Sequence, residues 1–292
     1  VAEQERRGRD APARQLDARA PREVRGALLR PRRASRSAVN EYAAIHAGLL
    51  VFVRIGAALM SAPGFSANSI PAHIRIVVGV ALAGALTSVV QTHVAPVPPD
   101  LAGLLGQVLT EAATGILIGM TLNLAVQAAG IAGTFLDAQV GLSMSQVMNP
   151  IDGVPVSILG QFKTMLAVVV FLTLDAHHLL FQALVRSYDA APVSLDSLPA
   201  VLSGVQTLMS MALVTAVKIA APALGATLLV DAALGVLSRA VPQLQPLQIG
   251  MPAKIGAGLL AVAFGLPALV GGVSFGVEAA TGFLMHLFAG AR

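Results

Sequence analysis

Cysteine is absent from the 292 residues. That inventory alone excludes disulfides, thiolate metal sites and cysteine nucleophiles. Tryptophan is absent as well, and tyrosine occurs only twice, so the chain lacks the interleaved rings on which nucleic-acid bases stack. Charge is scarce: 12% of residues are charged, against roughly 25% in an average globular domain. A water-soluble chain of this length needs a charged skin, and these residues could not supply one. The alternating apolar and polar strands of an outer-membrane barrel are also missing.

What is present is apolar. Hydrophobic residues make up 55% of the chain, and the mean hydropathy is +0.76. The charge is unevenly placed. Residues 1–38 hold eleven arginines and five acidic residues, a net of +6, while the rest of the chain is at −2. The basic character therefore belongs to the first 38 residues and gives no ground for a nucleic-acid partner. Those residues show scattered Arg, Ala and Pro without apolar period, which predicts a disordered basic extension. It reads either as an over-long start or as an anchor for anionic headgroups. Residues 39–292 form the membrane domain.

Apolar spans follow in order. Tyr42–Ala62 is long enough for a ~30 Å hydrocarbon core at ~1.5 Å per residue. Pro63 and Pro71 frame a polar turn, Ile74–Val94 is the second span, and "APVPPD" ends it. Leu101–Met144 is apolar or small throughout and exceeds one ordinary span. It reads as two helices, or as one broken near Gly130–Gly133. A fourth span covers Ile158–Leu174, with a continuation through "AHHLLFQALV". Val201–Val241, interrupted by Pro222, and Ala253–Phe288 complete the set. The expectation is an all-α, polytopic membrane-associated protein of six to eight apolar helices. Small residues at close spacing, such as Gly115 and Gly119, would let helix backbones approach.

Arg54, Glu111, Asp137, Lys163, Lys218 and Asp231 fall within or beside these spans. A lone ion in hydrocarbon costs at least ~2.5–3.5 kcal/mol, so each must pair, face protein or meet water. As a set, they imply that the chain does not sit in lipid alone. Asp175, His177 and His178 invite a metal reading, but the D-x-H-H spacing puts at most two side chains on one helical face. No metal and no cofactor is assigned. No nucleophile elbow, zincin helix, phosphate loop or dinucleotide fingerprint occurs, and no catalytic residue is assigned.

One segment breaks the apolar pattern. "GLSMSQVMNPIDGVP", Gly141–Pro155, brings Met144 and Met148 together with an Asn149-Pro150 step, an Asp152-Gly153 step and Pro155. The turn-formers keep it out of a helix, and methionines are soft side chains that fill irregular gaps. Non-helical backbone at membrane depth is tolerated only inside protein or against a water-filled cavity. The segment therefore reads as a pore-facing loop or as an ordinary interhelical turn.

An ordered set of motifs resembles a known family. It comprises "RIGAALM" (Arg54–Met60), "APGF" (Ala62–Phe65), "EAATGILIG" (Glu111–Gly119), "IAGTFLDAQVGLSM" (Ile131–Met144), "PVSILGQF" (Pro155–Phe162) and "FLTLDAHHLL" (Phe171–Leu180). Next come Asp231, Ala233, Leu234, Gly235, Arg239, Pro242 and Gln243, followed by Gly250, Pro252 and Lys254. Together these resemble the FliR family of flagellar biosynthesis proteins, the R subunits of the type III export gate. They are more distantly similar to the T subunits of virulence secretion systems. The resemblance runs from about Tyr42 to near the end. Departures at Val140, Ala176, Leu247 and Met251 are mostly apolar swaps, and the basic extension has no counterpart.

The resemblance implies a P-like half followed by a Q-like half, in a non-enzymatic gate shared with P- and Q-type subunits and served by a B-type subunit. Such a gate lies in the bacterial inner membrane within the flagellar basal body and passes unfolded flagellar proteins. Gly141–Pro155 stands where the family's plug loop lies, and Arg239 and Lys254 are expected in interhelical or intersubunit pairs. The alternatives are a virulence-system T subunit and, in a different class, a proton-coupled carrier of a small solute. No inverted repeat of the kind carriers show is visible.

Overall fold

The computed structural model describes residues 22–65, 70–90, 93–142, 157–190, 197–240 and 246–289, with side chains described from Tyr42 onward except at 240 and 246–249. Among the described residues every regular element is a helix: α1 Arg22–Ser61, α2 Ala72–Val90, α3 Leu101–Val140, α4 Ile158–Thr173, α5 Ala176–Arg186, α6 Leu198–Ala240, α7 Pro246–Phe264 and α8 Leu266–Ala289. The fold is all-α and polytopic. Five helices are long and apolar enough to cross a membrane, and the bent pair α4–α5 makes a sixth candidate. α1 begins at Arg22, inside the stretch that the sequence assigns to the basic extension.

α3 is the spine. Asp100 caps its start by accepting from the Gly103 N–H, and Gly141 ends it at φ 87°, a left-handed conformation that glycine adopts without strain. The expected break near Gly130–Gly133 does not occur; α3 is one uninterrupted helix of 40 residues, about 60 Å at 1.5 Å per residue. The glycines serve closeness instead. A Cβ at Gly133 would collide with the Gly160 backbone, and one at Gly130 with Thr164 Oγ1. α4 returns antiparallel along this glycine seam.

α1 packs on α3 in the same direction. Going up both helices, His46 meets Gln107, Arg54 meets Glu111, and Ser61 meets the Ile116 carbonyl. α2 is the return strut, with Gly79 against Phe52 and Gly48 against Thr87. The seam between α1 and α3 uses Gly115 and Gly119, where a Cβ would strike the Arg54 and Ala58 carbonyls. Small residues four apart are what a close backbone approach in a membrane requires.

α6 repeats the role of α3. Its 43 residues run continuously through Pro222, so the interruption expected there is also absent. The break lies across from it: α7 and α8 separate at Gly265, which faces the Pro222 ring. α8 then runs back along α6, Gly272 against Ile219 and Gly204 against Phe283. The main core joins α1, α3, α4, α5, α6 and α8 through Leu59, Ile118, Phe171, Leu184, Ile219 and Val273. A smaller core of Leu136, Leu159, Ala223, Ala261 and Val262 ties α3, α4, α6 and α7 together near the end of α3.

Candidate functional site

Four of the six charges that the sequence strands in apolar helices, Arg54, Glu111, Asp137 and Asp231, fall into three groups, while Lys163 and Lys218 stand apart. The first is built on Arg54, which is 1% exposed. Its Nε–H donates to Glu111 Oε2 at 2.5 Å, and a terminal N–H donates to Ser187 Oγ at 2.8 Å. The Ser187 hydroxyl in turn donates to the Leu184 carbonyl oxygen at 2.7 Å. The guanidinium also lies 3.9 Å from the centre of the Tyr188 ring. One cation thus joins α1, α3 and the turn after α5. Burial pushes the Tyr188 phenol above its ordinary value; the Arg54 charge opposes that shift and the Glu111 charge adds to it. The phenol oxygen itself is buried without a hydrogen-bond partner among the described residues. Ser187 and Tyr188 were invisible from sequence, because no spacing rule links them to a helix 133 residues away.

The second group closes the α3–α4 hairpin. Asp137, in the last turn of α3, is buried and accepts from the Ser157 hydroxyl. Both its oxygens lie 3.2 Å from the Leu159 N–H. Ser157 in turn caps α4 through the Gly160 N–H at 2.9 Å. A carboxylate here meets orphan N–H groups and the positive end of a helix dipole, which accounts for an anion with no basic partner among the described residues. The clamp also fixes both ends of the intervening segment, because Asp137 precedes it and Ser157 follows it. Gly141 is described at its start. Met144, Met148, Asn149, Pro150, Asp152, Gly153 and Pro155 lie outside the described residues. Lys163, in the second turn of α4, is buried.

The third group stands beside Gly141. Lys254 Nζ of α7 lies 2.5 Å from Asp231 Oδ1 of α6, and Gln139 of α3 donates to the other Asp231 oxygen at 3.1 Å. Met251 completes the surroundings, its methyl 3.6 Å from where a Cβ on Gly141 would lie. Three helices therefore meet at a polar knot where the segment leaves α3. Arg239 is exposed and makes no ion pair among the described residues. Lys218 is exposed as well, its Nζ 5.9 Å from the Phe275 ring centre.

Asp175, His177 and His178 converge at the 69° bend between α4 and α5, their donor atoms within 4.8 Å of one another. Asp175 is at φ 52°, so the continuation expected through "AHHLL" turns sharply instead of running straight. Three donors are one short of the four in a structural zinc site.

The model of the family described as bacterial export proteins, family 1, matches residues 45–280. Flagellar biosynthetic protein FliR of Caulobacter vibrioides is 32% identical over 225 residues, 76% of this chain and 89% of that relative. The protein of the same name in Bacillus subtilis is 31% identical over 73% of this chain and 83% of its own length. Surface presentation of antigens protein SpaR of Salmonella typhimurium is 30% identical over 56% of this chain and 62% of its own length.

Proposed function

The chain belongs to the family of bacterial export proteins, family 1, and on that premise we propose that it is a non-enzymatic core subunit of the flagellar type III export gate. It is a membrane-embedded component of flagellar or type III export. The finer reading is that it forms part of the conduit for unfolded flagellar proteins, in the bacterial inner membrane, in complex with P-, Q- and B-type subunits. The observation that carries it is the family match across residues 45–280. The flagellar relatives match three quarters of the chain and the antigen-presentation relative little more than half, which favours a flagellum over a virulence system.

The loop Gly141–Pro155 acts in this reading as the plug of the conduit, with Met144 and Met148 as its sealing side chains. Two features of the described residues support that role. The Asp137 clamp holds the two ends of the loop together, so it can project without splaying α3 from α4. The Asp231–Lys254–Gln139 knot adds a second fixed wall beside its first residue. The test is deletion of Ser143–Val154 in the assembled gate, with co-purification as the assembly control. The expected result is an intact complex that leaks small ions through the membrane. A complete complex that stays tight to ions overturns the plug assignment.

A further inference from the structure

Asp175, His177 and His178 take no part in the three polar groups, and their donor atoms lie within 4.8 Å of one another. The D-x-H-H spacing argues against a shared ligand only while a helix runs on through it. Here it does not. The chain turns by 69° between α4 and α5, and Asp175 sits in the turn at φ 52° and ψ 23°. Asp175 is thereby taken out of the helical register, and its Oδ1 comes to 3.7 Å from His178 Nδ1. The two imidazole rings pack with centroids 4.2 Å apart.

These side chains have bonding capacity left over. Asp175 holds the N-cap position of α5, where an aspartate ordinarily accepts from an N–H of the first turn. Its side chain makes no capping hydrogen bond. His177 Nδ1 is buried and has no hydrogen-bond partner among the described residues. A non-glycine residue held in the left-handed region, with its carboxylate uncommitted to the cap, is a strained arrangement of the kind that clusters at ligand sites.

The donor set names the class of ligand. Two imidazole nitrogens and one carboxylate oxygen suit zinc and its neighbours, whereas magnesium and calcium take shells of oxygen. Zinc bonds of ~2.0–2.1 Å place tetrahedral ligands about 3.4 Å apart, close to the separation already present between Asp175 and His178. The positive end of the α5 dipole opposes a cation here, and the Asp175 carboxylate offsets it.

We propose that Asp175, His177 and His178 bind a divalent metal ion of the zinc class, as three protein ligands with the fourth position open to water. The ion clips the turn to the start of α5 and fixes the angle of the bend. That angle has a consequence at the far end of α5, where the following turn delivers Ser187 and Tyr188 to Arg54.

The test uses the full chain in mild detergent, purified through a histidine-free tag with the subunits that accompany it and stripped of metal by chelation. Zn²⁺ alone is the probe, read as zinc bound and as unfolding temperature. The expected result is saturable zinc binding and an unfolding temperature that climbs with zinc concentration, with no such climb in Mg²⁺. His177→Gln or His178→Gln should weaken zinc binding by at least the ~10-fold that loss of a supporting contact costs at metal sites. Asp175→Gly covers the case of a variant that misfolds, because glycine adopts a positive φ without strain. With chelator present its unfolding temperature should equal or exceed that of the unaltered chain, yet it should lose most of the zinc-induced rise. Zinc binding and a thermal rise that are the same in the unaltered, His177→Gln and Asp175→Gly chains would place the ion elsewhere and overturn the proposal. No response to zinc, or an equal response to Mg²⁺, would overturn it too.

Discussion

Arg54 shows how a full charge can be stable deep in an apolar bundle. Glu111 neutralises it, Ser187 takes a further N–H, and Tyr188 offers a ring face. The favourable terms are conditional on one another, because a buried pair mostly offsets its own desolvation, while half of a pair does not. We predict that Arg54→Met or Glu111→Gln alone costs about 3–5 kcal/mol, seen as a large drop in the unfolding temperature of the detergent-solubilised complex. The Arg54→Met/Glu111→Leu double variant should recover most of that loss. Additive losses would mean that the two side chains are not energetically coupled. Tyr188 supplies a second prediction, in pH. Its folded-state phenol holds its proton more tightly than an unfolded phenol, which ionises near ~10. The stabilisation from that difference is complete below pH ~10 and is lost as pH rises above it towards the raised folded value. Tyr188→Phe removes a buried hydroxyl that has no partner among the described residues, so it should be neutral or stabilising at neutral pH. It should also flatten the alkaline fall in unfolding temperature. An alkaline limb identical to that of the unaltered chain would refute this.

Helices meet here through absent side chains as much as through present ones. Gly119 lets α3 touch the α1 backbone at Ala58, whereas Gly106 on the same helix faces open space. Gly119→Ala must push the helices apart and should cost about 1–3 kcal/mol as overpacking. Gly106→Ala meets nothing and should gain up to ~1 kcal/mol from helix propensity. Thermal unfolding of the two variants gives opposite signs if this packing is right; two losses of equal size would contradict it. The same contrast explains what was legible from sequence. The spans could be placed because apolar length is a local property, and Ser157 is a recognisable N-cap residue ahead of α4. The continuity of α3 and α6 could not be read locally. Gly130, Gly133 and Pro222 look like helix breakers in isolation, and only the neighbouring helices α4 and α7–α8 show that they are points of contact. Arg54, Glu111, Asp137 and Asp231 could be singled out because ions are rare in spans, but their partners lie 20 to 133 residues away or on backbone atoms.

At the scale of the molecule, burial is concentrated on one helix. In the most apolar stretch of α3, 67% of residues are buried by the chain itself, against 17% for α2, 33% for α6 and 28% for α8. The outer helices thus present wide apolar sides, which lipid could cover at no loss. Lipid cannot cover Lys218, Glu278 and Arg239, which are exposed and make no ion pair among the described residues. On the export-gate reading, such a chain gains stability from assembly, because binding that occurs only to the folded form adds its own free energy to folding. We therefore predict that the chain expressed without P- and Q-type subunits is cleared by membrane proteases several-fold faster than when co-expressed with them, since modest changes in folding free energy alter cellular abundance severalfold. Pulse-chase half-lives in the same strain check this. If the export-gate reading holds, neutralising the three exposed ions together should lengthen the half-life of the lone chain in lipid while weakening co-purification. Equal half-lives with and without partners would show that lipid alone satisfies this surface, and the ions would then need a solvent path of their own.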